Sequence, residues 1–91
     1  MDALLIKTTG ESSFVTPQNG KDFTLEELYQ LLGCDMVEVV YPVYDSDCIF
    51  IIDEEGKLTG KDINYAATIM WGAQRDVLVG DVIYCPSEML K

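Results

Sequence analysis

The stretch N-Y-A-A-T-I-M-W-G-A-Q-R-D-V-L-V-G-D-V-I-Y, residues 64–84, decides the fold, because it joins a short capped helix to the most apolar strand of the chain. Asn64 offers a side-chain oxygen to the free amides of the turn that follows, and Gly72 suits the left-handed conformation that closes a helix. The residues between them make about two turns, which are marginal alone, so tertiary packing must hold them. Ile63, Ala66, Ala67 and Met70 supply an i, i+3, i+4, i+7 stripe to lie on a sheet, with Trp71 at its edge. The polar trio Gln74-Arg75-Asp76 predicts an exposed loop. Residues 77–85 then read as a strand apolar on both faces, as expected of a central strand with a helix above it and another layer below. Gly80-Asp81 interrupts that strand, which predicts a bulge or a close backbone approach.

Upstream, 48–52 is a continuous apolar strand, separated by Tyr44-Asp45-Ser46-Asp47 from another strand over 36–43, so the two should form an antiparallel hairpin. Val37, Val39, Tyr41 and Val43 fall on one face of the earlier strand and Met36, Glu38 and Val40 on the other. Asp53-Glu54-Glu55-Gly56 suits a type I turn, after which 57–59 can pair briefly as a sixth strand. A first helix is announced by Thr24 with Glu27 three residues on, a capping box, by the staple spacing of Phe23 and Leu28, and by Gly33 as its stop. Leu25, Leu28, Leu32 and Tyr29 make its apolar face. Strands over 3–8 and 13–16 flank Gly10-Glu11 as a first hairpin, ended by Pro17 and the turn signal Asn19-Gly20. Residues 88–91 read as a frayed tail. The fold class is α+β: a single domain over 1–91, with a mainly antiparallel curved sheet of five to six strands, two short helices, and the order β-β-α-β-β-(β)-α-β.

Ninety-one residues suffice for one core, and 48% hydrophobic content excludes a disordered chain. Apolar runs fall short of the roughly 18 residues that cross a bilayer, and the first ten lack the pattern of a signal peptide, so a cytoplasmic protein is expected. Cys34, Cys48 and Cys85 are odd in number and sit in or beside apolar segments, which predicts buried free thiols; without a CxxC pair or a histidine no zinc site is expected. No cofactor is implied, because the glycines form neither a phosphate loop nor a dinucleotide fingerprint.

The net charge of −10 is concentrated. Residues 1–21 balance to zero, residues 63–91 carry −1, and residues 22–62 hold eleven acids against Lys57 and Lys61. Such a surface repels phosphate and excludes direct nucleic-acid binding. Three uses remain for it: solubility, docking of a basic or DNA-binding partner protein, or mimicry of a nucleic-acid backbone that occupies a host defence enzyme. Asp45, Asp47, Asp53, Glu54 and Glu55 are the candidate partner-binding acidic face. They lack the spacing of a helix-loop-helix calcium loop. With no histidine the serines and cysteines have no usual base, and a small hydrolase working through paired carboxylates would find little room for a cleft in 91 residues. The expectation is therefore a non-enzymatic protein with no catalytic residue. The strands also carry more apolar positions than two short helices cover, which predicts a sheet curled into a partial barrel, or a two-fold homodimer through a sheet edge or an apolar face.

The succession A-L-L-I-K-T-T-G (3–10), D-F-T-L-E-E-L (22–28), D-E-E-G-K-L-T-G (53–60), N-Y-A-A-T (64–68) and V-G-D-V (79–82) resembles a family of small uncharacterised bacterial domains encoded mainly on phages, plasmids and integrated elements. In that family a leucine-proline pair usually precedes the equivalent of Asn64, where this chain has Asp62-Ile63. The resemblance implies an accessory protein of a mobile element and no activity. Its matching residues Asn64, Ala67, Thr68, Gly80 and Asp81 carry over as a structural signature: cap, helix-sheet packing and bulge.

Overall fold

The computed structural model describes residues 3–43, 47–73 and 76–90; the expectations for Tyr44, Asp45, Ser46, Gln74 and Arg75 fall outside them. Strands β1 (Ala3–Ile6), β2 (Ser12–Val15), β3 (Val37–Val40), β4 (Cys48–Asp53) and β5 (Val82–Pro86) form one open sheet in the order β2-β1-β5-β4-β3, every neighbouring pair antiparallel. The sheet does not close into a barrel. β5 is its middle strand, and β2 and β3 are its edges.

Strand alternation divides the apolar residues between two faces. Ala3, Leu5, Ile49, Ile51, Ile83 and Cys85 pack on one face with Phe23, Leu28 and Leu32, which belong to or precede helix α1 (Leu25–Leu32). Ile6, Phe50, Ile52 and Val82 pack on the other with Leu78 and with Ala67 of helix α2 (Tyr65–Trp71). A helix on each side of the sheet explains why β4 is buried at all six positions.

Helix α1 starts and stops on local signals. Thr24 Oγ1 accepts from the Glu27 N–H (3.2 Å), Glu27 Oε1 accepts from the Thr24 N–H (3.0 Å), and Gly33 closes the helix in the left-handed region at φ 63°. Phe23 and Leu28 are both buried, as a staple requires. The apolar face differs from the expected one at Leu25, which is exposed, whereas Leu31 packs against the core. The residues after β5 are not frayed through Leu90. A 3-10 turn, Ser87–Met89, brings the Met89 carbonyl to the Phe23 N–H (2.8 Å), and Met89 and Leu90 pack on the core.

Helix α2 sits one position away from the expected stripe. Met70 is exposed and Ile69 is 80% exposed, while Asn64, Ala67, Thr68 and Trp71 face the molecule. That is again an i, i+3, i+4, i+7 set, but two of its members are polar, Asn64 buried and Thr68 half-buried, and both turn inward because they bond across to neighbouring backbone. Residues 57–59 form turns instead of a sixth strand. Asp53 Oδ1 accepts from the Glu55 N–H, the Thr59 N–H donates to Glu55 O, and the Lys61 N–H to Gly56 O, so the segment coils on itself. The last strand begins at Val82 rather than 77: Gly80 has φ +76°, and ahead of it Val79 forms a single bridge with Ile63.

Candidate functional site

Asn64 is 0% exposed, and both polar atoms of its side chain bond to backbone. Its Oδ1 accepts from the Ala67 N–H (3.0 Å), and its Nδ2 donates to Ile6 O (2.9 Å) and Gly80 O (3.0 Å). One residue thus caps α2, holds the end of β1 and fixes the bend before β5. Thr68 continues the junction: its hydroxyl donates to Asn64 O (2.7 Å) and accepts from the Leu78 N–H (2.9 Å). Ala67 is 0% exposed and packs on the sheet with Phe50 and Leu78. Gly80 lies against Lys61, whose Cδ would stand 2.9 Å from an added Cβ, and Asp81 Oδ1 accepts from the Thr8 N–H (3.1 Å). These five residues meet at one end of the sheet, and no side-chain atom of Asn64 is left for a ligand.

The five acids Asp45, Asp47, Asp53, Glu54 and Glu55 do not form one patch. Asp47 precedes β4 and Asp53 ends it, so six residues of extended chain hold them roughly 20 Å apart; Asp45 lies outside the described residues. Asp53 is 6% exposed and turned inward, where its Oδ2 pairs with Lys61 Nζ at 2.8 Å. The same ammonium donates to Leu32 O (3.0 Å) and Gly33 O (3.1 Å), the open carbonyls at the end of α1. Asp53 therefore fastens β4 to α1 and is not part of a docking surface.

Glu54 and Glu55 are exposed and acquire neighbours that sequence distance hid. The Glu54 N–H donates to Met36 O (3.1 Å), which sets residues 35–38 beside 54–55, and Glu38 and Glu54 line one pocket of about 210 Å³ with Asp76, Lys57 and Trp71. Lys57 is paired with Asp76, and that bond, with a second from the Val77 N–H, holds the Asp76 carboxyl below its usual range. Sequence reasoning missed Glu38 and Asp76 as members of this end, because the strand register and the fold of 76–79 onto β4 create the proximity; the Lys57–Asp76 pair spans 19 positions and leaves no local signal.

The pocket is smaller than the roughly 300–1,000 Å³ of a small-molecule site. A broader, open depression of about 460 Å³ over Phe23, Leu25 and Leu90 holds one acid, Glu26. Burial, and then the neighbouring Asp53 charge, pushes the Cys34 thiol up, and burial with Cys48 beside it pushes Cys85 up to about 11, so neither is a thiolate at neutral pH. All three cysteines are free, Cys34 half-buried and the other two buried. Among the described residues no three Cys, Asp or Glu side chains come together to hold a metal ion, and no helix is long and apolar enough to cross a membrane.

Fold and site together define a small acidic α+β domain with a buried asparagine anchor at one end of its helix and exposed glutamates on β3 and just after β4. The chain belongs to the family described as a domain of unknown function, DUF3846, whose model matches residues 1–88. No curated protein and no solved structure matches it.

Proposed function

We propose that this domain is a non-enzymatic accessory protein of a phage, plasmid or integrated element that works by binding a basic protein through Glu38, Glu54 and Glu55. The supporting observation is where the lysines go. Both lysines of the acidic segment 22–62 are engaged with the chain's own carboxylates, Lys57 with Asp76 and Lys61 with Asp53, so neither offsets the glutamates outside. Clustered, uncompensated carboxylates steer and orient a cationic partner. Three substitutions, Glu38→Gln, Glu54→Gln and Glu55→Gln, test the reading together. Proteins captured from host lysate by the parent chain and by the triple variant are compared by quantitative mass spectrometry. A basic protein retained by the parent and lost from the variant supports the proposal; identical capture profiles overturn it. Competition with duplex DNA then separates plain docking from mimicry of a nucleic-acid backbone, because only a partner bound at its DNA site is displaced.

A further inference from the structure

The two edges of the sheet are not alike. β3 carries Glu38, and Asp35 precedes it, charges of the kind that keep an open edge from pairing with another strand. β2 reads S-S-F-V and carries no charge and no proline. Its free side follows from the hairpin. The Lys7 N–H donates to Glu11 O (2.8 Å), so in the antiparallel register the bonded pairs that follow are Leu5 with Ser13 and Ala3 with Val15. Ser12 and Phe14 therefore turn their backbone N–H and C=O groups away from β1, and Phe14 is also 74% exposed.

We infer that β2 is a self-association edge, pairing antiparallel with β2 of a second copy across a two-fold axis at Ser13, so that two five-stranded sheets become one of ten strands. The register is set by the outward groups: Ser12 against the partner's Phe14, and Phe14 against the partner's Ser12, satisfies both residues of each copy, and a two-fold arrangement is self-complementary by construction. Charge selects a second copy at this edge and not at the other. A chain of net charge −10 repels itself, yet residues 1–21 balance to zero, and Glu11, the acid next to β2, stands opposite Lys7 in the hairpin. Across the face of β2, Glu27 of α1 is the neighbouring acid, and its carboxylate is already bonded by the Thr24 and Gln18 N–H groups. Edge pairing over four residues buries little surface, so the dimer is weak and concentration-dependent. This inference is independent of the partner assigned to the acidic end.

Sedimentation velocity from 10 to 500 µM at physiological salt tests it. The parent mass rises from 10.2 kDa toward about twice that value. Phe14→Pro and Ser12→Pro each remove an N–H that points outward, leave the ladder to β1 intact, and hold the chain at monomer mass over the whole range. Ile69→Lys, at an exposed site on α2, leaves the dimer unchanged. Hydrogen exchange of the parent gives a readout that needs no variant to fold: the Phe14 amide becomes at least tenfold more protected at 500 than at 10 µM. A parent that stays at 10.2 kDa, a dimer that survives a folded proline variant, or a Phe14 amide whose exchange ignores concentration overturns the inference.

Discussion

Replacing Asn64 with alanine removes three hydrogen bonds at once. The Ala67 N–H loses its cap, worth about 1 kcal/mol, and the carbonyls of Ile6 and Gly80 lose their side-chain donor in a site that is 0% exposed. A buried carbonyl left without a partner costs about 1–3 kcal/mol; Ile6 O keeps its ladder bond to Val82, so Gly80 O carries most of that cost and the total is about 2–4 kcal/mol. A domain of 91 residues has about 5–14 kcal/mol in all, so Asn64→Ala loses a large share of its stability. Urea unfolding followed by Trp71 fluorescence measures this directly. Asn64→Asp sharpens the test. It keeps an oxygen for Ala67 but aims a carboxylate at two carbonyls, which raises the folded-state pKa of that group above its unfolded value. The folded state then binds more protons, so the deficit relative to the parent protein is largest at pH 7 and shrinks as pH falls through the raised pKa, where the protonated carboxyl donates again. A loss below about 1 kcal/mol for Asn64→Ala, or a pH-independent deficit for Asn64→Asp, would refute the anchor.

Thr24→Ala lowers stability by about 0.5–2 kcal/mol in the same assay, since it removes one half of a reciprocal cap. The Glu27 carboxyl is held below the usual glutamate range chiefly by the N–H groups of Thr24 and Gln18. Its contribution is therefore complete above the unfolded pKa and disappears as pH falls through the lower folded value; the parent-minus-Glu27→Gln difference should vanish in acid and persist at pH 7. Lys61→Met leaves Asp53 buried without its cation and the last carbonyls of α1 without a donor, at a cost of about 3 kcal/mol, and Asp53→Asn in the same chain recovers part of it. Cys85 in the native chain should react with a thiol reagent at least a hundredfold more slowly than in urea, because its folded thiol is buried and protonated.

Local chemistry made some of this molecule legible in its sequence. Every signal for α1 lies within ten residues of the helix it defines, and β5 was readable as a central strand because both of its faces are apolar. The face of α2 was not readable, because hydropathy ranks Ile69 and Met70 above Asn64 and Thr68, while the fold turns the polar pair inward through bonds to Ile6, Leu78 and Gly80. The 57–59 segment looks extended by composition, but side-chain bonds from Asp53 and Thr59 favour turns. For the acids, charge density was visible and partnership was not: Asp53 pairs with a lysine eight residues on, and Glu38 reaches Glu54 only through the register of β3 on β4.

The claim that the exposed glutamates on β3 and just after β4 are the working surface is tested most directly by the salt dependence of binding to the captured basic partner. Titration from 50 to 500 mM salt should weaken the parent complex steadily, with the Glu38→Gln, Glu54→Gln, Glu55→Gln variant binding weakly and nearly independently of salt. Equal affinities and equal salt slopes for the two proteins would contradict it.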